Sequence, residues 1–182
     1  MLRNLSDEYG VIAKCLHWGL ALLIVLQVLS GPIITILEMG ELRETLAGVH
    51  KSVGLAALLL AVGRLLWRRT IPLPGWCASL DDRDKRIVHG IERLLYMLML
   101  GVPLAGLLMG VAGGRSWVWL GLVEIPSFTP GPTHVSRLLN GIHRFGGFAV
   151  VGVVCVHVGF VLEHRARRNA RYLTRMLPRI FH

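Results

Sequence analysis

The run from Leu138 to Glu163 constrains this chain more than any other stretch. It reads LLNGIHRFGGFAVVGVVCVHVGFVLE and carries two histidines, His143 and His157, fourteen residues apart. A stretch this long and this apolar is a candidate to cross a bilayer as a helix. Fourteen helical steps of about 100° bring the second imidazole back to within roughly 40° of the first, and a rise of about 1.5 Å per residue separates the two by roughly 21 Å. One helix face therefore offers two imidazoles at two depths.

Three further apolar runs precede it, so that spans are expected at about 15–37, 46–67, 87–111 and 138–163. They account for a composition that is 53% hydrophobic and only 17% charged, where a soluble domain carries about a quarter. The expected fold is all-α: an integral membrane, four-helix up-down bundle forming one domain over residues 1–182. The apolar run after the polar residues 1–13 is too long for the core of a cleavable signal and should remain as the first span. Residues 1–13 read as an amphipathic lead-in. Gly31-Pro32 predicts a kink or early stop in the first span. Pro103 interrupts the third, which a membrane helix tolerates when neighbours satisfy the freed carbonyl. Gly106 and Gly110 form a small-xxx-small pair suited to close helix contact. The longest loop, 112–136, holds Trp117, Trp119 and Phe128, whose aromatic rings fit the membrane interface.

The net charge of +9 would suggest nucleic acid in a soluble protein, but here the basic residues flank apolar spans and report topology instead. With both termini inside, the inner segments hold fifteen Lys and Arg and the outer segments five, namely Arg43, Lys51, Arg115, Arg137 and Arg144. That asymmetry places both termini in the cytoplasm. Cys15, Cys77 and Cys155 show no Cys-x-x-Cys spacing, and buried packing is the role expected of Cys15 and Cys155. The absence of Cys-x-x-Cys-His speaks against c-type haem attachment.

Topology sorts the histidines by depth. His50, near the outer end of the second span, matches His143; His17, near the inner end of the first, matches His157. A lone histidine inside a membrane can be a satisfied structural residue, but four that pair by depth point to function. Two bis-imidazole haem sites, one per leaflet, follow. Zinc is disfavoured, because each level offers two ligands and no carboxylate or thiolate. Two axial imidazoles leave no open position on the iron, which suits electron transfer. Arg64 lies fourteen residues after His50, on the same face and near the inner side, where it either pairs with a propionate of the inner haem or snorkels to the interface. Lys51 and Arg144 stand in the same two-way position at the outer level. His89 is expected at the interface or behind a ligand. His134, His164 and His182 are expected as exposed surface residues. Gly54, Gly63, Gly106, Gly110, Gly147 and Gly152 either admit a flat macrocycle or serve helix packing.

Several motifs taken in order carry a resemblance. They are Lys14-Cys-Leu-His17-Trp18, then Val49-His50-Lys51-Ser52-Val-Gly54, then Arg64-Leu-Leu-Trp-Arg68 followed by Pro72 and Pro74. After these come Leu95-Tyr96, Val102-Pro103-Leu-Ala-Gly106, the stretch Trp117 to Leu122, Ile142-His143-Arg with His157, and Leu173-Thr-Arg-Met-Leu-Pro178-Arg. Over nearly its whole length the chain resembles the bacterial cytochrome b561 family of four-helix di-haem b proteins, and most nearly their superoxide oxidase type. The resemblance implies two non-covalent b haems, with the ligands carried onto His17, His50, His143 and His157. It implies a multi-pass protein of the bacterial inner membrane that exchanges electrons with the quinone pool. It further implies transfer from superoxide, at the periplasmic face, to ubiquinone. That type tends to carry a second histidine one turn after the position of His89, and here the position holds Glu92.

The function expected is thus superoxide:ubiquinone oxidoreductase, with membrane lipid, quinone and superoxide as its partners and no nucleic acid. Lys51, Arg115, Arg137 and Arg144 would draw in the anion, against the acidic stretch Glu38 to Glu44. Trp117 and Trp119 would either line a substrate mouth or anchor the interface. The alternative is a cytochrome b subunit that carries electrons between quinone and a partner dehydrogenase or hydrogenase. A haem-binding structural or sensory membrane protein is a third reading. No catalytic residue is assigned from sequence.

Overall fold

A computed structural model describes residues 2–76, 80–114, 116–168 and 172–177, without the side chains of residues 168, 172 and 173. Cys77, Arg115, Arg171, Arg179 and His182 lie outside the described residues, as does the side chain of Arg168. Among the described residues four helices are long and apolar enough to cross a bilayer: α1 (Val11–Ile36), α2 (Glu41–Thr70), α3 (Asp82–Val111) and α4 (His134–Arg168). A short α5 (Tyr172–Met176) follows. The end of the bundle near the start of α1 is called inner below, and the opposite end outer.

Each helix runs beyond the apolar span expected for it, because polar residues complete its ends. Glu41 and Glu44, expected in a loop, occupy the first turn of α2, and Arg68 and Arg69 its last. Both placements complement the helix dipole. The Asp81 side chain accepts a hydrogen bond from the Asp84 N–H at 2.8 Å and caps α3. Pro32 does not stop α1 early; the helix continues one turn to Ile36, and the Leu37 N–H closes on the Ile33 carbonyl at 3.1 Å. The lead-in over residues 2–10 is not helical.

Helix α1 packs on α2, α2 on α3 and α3 on α4, whereas α4 packs closely on neither α1 nor α2. The core is small: Leu20 meets Ala57 and Ala61, with Leu23, Ile24, Leu60, Met99 and Leu100 around them. Ala57 and Ala61 lie one turn apart on α2, and their small size lets the helices approach. Large apolar side chains point outward instead, Leu22, Leu29, Phe145 and Phe148 among them. A bilayer would cover such a surface; water would not tolerate it.

The outer loop folds back as a hairpin, β1 (Trp117–Trp119) antiparallel to β2 (Val123–Ile125), pairing Trp117 with Ile125. Leu120 and Gly121 turn the chain with φ of 51° and 72°. Two successive left-handed residues suit the right-handed twist of a hairpin. Leucine is rare there, and the turn carries Leu-Gly in place of Asn-Gly, the usual hairpin signal. Trp119 Nε1 donates to the Ser52 carbonyl at 3.1 Å, tying the hairpin to α2 beside His50.

The inner end is laced by long-range polar contacts. Asn4 donates to the Pro72 carbonyl, the Gly75 N–H to the Ser6 carbonyl, and Trp18 Nε1 to the Met176 carbonyl. Arg175 donates to the Asp7 and Gly75 carbonyls. Tyr9 is held there, and burial, then the nearby Glu92 carboxylate, pushes its phenol above the ordinary tyrosine value.

Candidate haem-binding site

The four histidines singled out by depth meet as two ring pairs. His50 and His143 face each other with centroids 6.0 Å apart and planes at 84°. His17 and His157 stand 6.3 Å apart at 58°. Each pair joins α4 to a helix on which it does not pack closely, α2 in the first case and α1 in the second. The start of α4 thus meets the start of α2, while its far half meets the start of α1, as an up-down order requires.

A metal held between two imidazoles, with bonds of about 2.0 Å on either side, sets ring centroids about 6 Å apart. Both pairs have that separation. Among the described residues no three metal-binding side chains cluster. Two imidazoles at each level fall short of the four donors of a zinc centre, whereas they would be enough to hold a haem iron.

The outer rings are held by their far nitrogens. His143 Nδ1 lies 2.8 Å from the Val102 carbonyl. A carbonyl only accepts, so Nδ1 carries the hydrogen and the neutral ring keeps its lone pair on Nε2, the tautomer a metal ligand needs. His50 Nδ1 lies 2.8 Å from Ser30 Oγ, and Gln27 Nε2 donates to the His50 carbonyl at 3.0 Å. These partners cross between helices, and sequence reasoning did not name them.

Glycines make the approach possible, and they divide by role. A Cβ on Gly106 would sit 2.8 Å from His143 Nδ1 and Cε1, and one on Gly54 would sit 2.6 Å from Gln27 Nε2. On Gly110 it would contact Trp117 Nε1 at 3.5 Å. Those three serve packing. Gly63, Gly147 and Gly152 have nothing within 4 Å of that position and are the ones with room for a flat ring.

At the inner level Trp18 stands edge-on to His17, 5.3 Å between centroids. Arg64 Nη1 donates to the Ala13 carbonyl at 3.3 Å, one turn before His17 on α1. At the outer level the Lys51 ammonium lies 5.7 Å over the Trp117 ring. Arg144 is exposed, and Arg137 bonds His134 on the surface at 3.0 Å. Trp117 Nε1 is buried with no hydrogen-bond partner among the described residues.

Two expectations are corrected. His164 is buried, 5% exposed, rather than on the surface. It stacks on Phe160, and its Nε2 lies 3.4 Å from Asp84, because α4 runs past its apolar span to meet the polar first turn of α3. Cys15 and Cys155 are exposed rather than packed in the core, since they fall on helix faces turned away from the bundle. His89 is half exposed, its ring edge-on to Trp76 at 5.1 Å. Glu92 is engaged by both guanidinium nitrogens of Arg68 at 3.1 and 2.6 Å. This ion pair between neighbouring helices had no signal in the sequence.

Comparison with known proteins supplies a context for this geometry. Residues 8–179 match the family model described as prokaryotic cytochrome b561. Cytochrome b561 homolog 2 of Escherichia coli (strain K12) is 24% identical over 175 residues, covering 96% of this chain and 93% of its own. Cytochrome b561 homolog 1 of the same strain is 25% identical over 138 residues, 76% of each chain. A protein of Yersinia pestis named probable superoxide oxidase CybB is 23% identical over 175 residues, 96% of this chain and 98% of that one.

Proposed function

The chain belongs to the prokaryotic cytochrome b561 family of transmembrane b-type cytochromes, and from that premise we propose that it binds two b haems and moves electrons from superoxide to quinone. The observation that carries the proposal is the pair of imidazole clamps, each about 6 Å across, sharing one helix at two depths. In this reading His50 and His143 hold the outer haem, and His17 and His157 the inner. The haem-binding unit extends over the whole chain, in the bacterial inner membrane with both termini in the cytoplasm. The count of basic residues supports that orientation.

Bound haem supplies a reversible one-electron centre at each level. A pair of imidazoles at each level would hold the group and suit it to electron transfer rather than to substrate binding. Two superoxide anions would each lose one electron and depart as dioxygen. The two electrons, with two protons, convert one quinone to its quinol. Lys51, exposed beside His50 and held over Trp117, supplies positive charge at the outer face. In this reading Arg64 would pair with a propionate of the inner haem, and the exposed Arg144 fits a headgroup contact better than a propionate. The name of the Yersinia relative supports the choice of superoxide as donor.

Rapid mixing of the purified oxidised protein with superoxide tests this reading. Haem reduction should appear in the optical spectrum and reverse on adding a ubiquinone analogue. No reduction above background would refute superoxide as the donor, and a co-purifying dehydrogenase or hydrogenase would then mark the chain as a carrier subunit.

A further inference from the structure

Helix α1 reaches both haem levels, though only one ligand lies on it. Near its outer end, Ser30 Oγ is 2.8 Å from His50 Nδ1 and also donates to the Gln27 carbonyl at 3.3 Å. A hydroxyl has one hydrogen. With that hydrogen on the Gln27 carbonyl, Ser30 can only accept from His50, so Nδ1 is protonated and Nε2 is free. Gln27 closes the loop: its Nε2 donates to the His50 backbone carbonyl at 3.0 Å. One turn of α1 therefore grips both the ring and the main chain of His50. The Gln27 amide fits because position 54 is glycine, where a Cβ would come within 2.6 Å of it. Gly31 leaves the other flank of the ring clear, its own Cβ position being 3.6 Å from His50 Cε1.

We propose that Gln27 and Ser30 are positioning residues for the outer haem, fixing the tautomer and orientation of His50 from a helix that supplies no ligand at that level. The inference rests on the two-haem reading above. The ring–hydroxyl–carbonyl relay would make His50 a stronger electron donor to a bound haem iron and so favour its ferric state. Among the described residues neither His17 nor His157 has a hydrogen-bond partner at Nδ1, so the effect belongs to the outer site.

The test uses the purified full chain in detergent, as wild type, Ser30→Ala, Ser30→Thr and Gly54→Ala. Haem content is measured by pyridine haemochrome, midpoint potentials by optical titration, and ligand geometry by electron paramagnetic resonance. The same titration in a His157→Ala background isolates the outer haem. Ser30→Ala should raise the midpoint of that haem, move its low-spin signal and weaken its retention about 10-fold or more, with the inner haem unmoved. Ser30→Thr should restore all three readouts. Gly54→Ala, which displaces Gln27, should move the signal in the same sense. Two haems with unchanged potentials and signals in Ser30→Ala would overturn the clamp alone, as would a shift confined to the inner haem. Fewer than two haems in the wild type would overturn the reading beneath it and the clamp with it.

Discussion

The Nδ1 hydrogen of His143 on α4 points at the carbonyl of Val102 on α3, 2.8 Å away and one residue before Pro103. The contact spans 41 residues of sequence and fixes which nitrogen of His143 faces His50.

Removing a ring should remove one haem and leave the other. His50→Ala and His143→Ala are expected to lose the same haem, and His17→Ala and His157→Ala the second. Each variant should hold one haem per chain by pyridine haemochrome. Loss of haem in His89→Ala but not in His17→Ala would move the inner ligand to α3.

Gly106→Ala should act as a weakened His143 variant. The added methyl meets the imidazole at 2.8 Å, and the ring must shift. Gly159→Ala is the control, since Gly159 is exposed and nothing lies within 4 Å there. It exchanges glycine for the best helix former, a gain of up to about 1 kcal/mol. Thermal unfolding followed through the haem absorbance should fall for Gly106→Ala and hold or rise for Gly159→Ala.

The ion pair between Arg68 and Glu92 joins α2 to α3 at the inner end, with side chains only 21% and 26% exposed. Replacing Glu92 by Gln keeps the shape and removes the charge, at a cost of about 1–3 kcal/mol. Arg68→Gln in the Glu92→Gln background should recover part of that loss, measured as midpoint in a denaturation series.

Alkali should loosen the inner end. Tyr9 titrates above the ordinary tyrosine value because burial and Glu92 disfavour the phenolate. The folded protein therefore holds a proton that the unfolded chain releases near pH 10, and stability falls as pH rises through and beyond that value. Below it the contribution is complete. Tyr9→Phe has no such proton, so its stability profile above about pH 10 should be flatter than that of the wild type.

Depth and angle along a helix are legible in sequence, because a fixed rise and turn per residue set both. This is why the spacing from His143 to His157 and from His50 to Arg64 placed these side chains at the levels where they are found. The rotation of one helix against another is not legible that way. Ser30, Gln27 and Val102 touch the outer histidines only through such rotations, at separations of 20, 23 and 41 residues. His164 was misplaced for the same reason: its burial depends on Asp84 arriving from another helix. The hairpin escaped notice because Leu120 takes a left-handed conformation that its residue type does not advertise.

Because α4 leans on α3 but not on α1 or α2, the helices form a row with one seam left unzipped. The two ring pairs lie across that seam, so a group bound between them is also a rivet between helices that would otherwise drift. Loading the protein would then lock α4 onto a bundle already formed. Stripping it should free α4 to swing on α3 as on a hinge, leaving the contacts among α1, α2 and α3 in place.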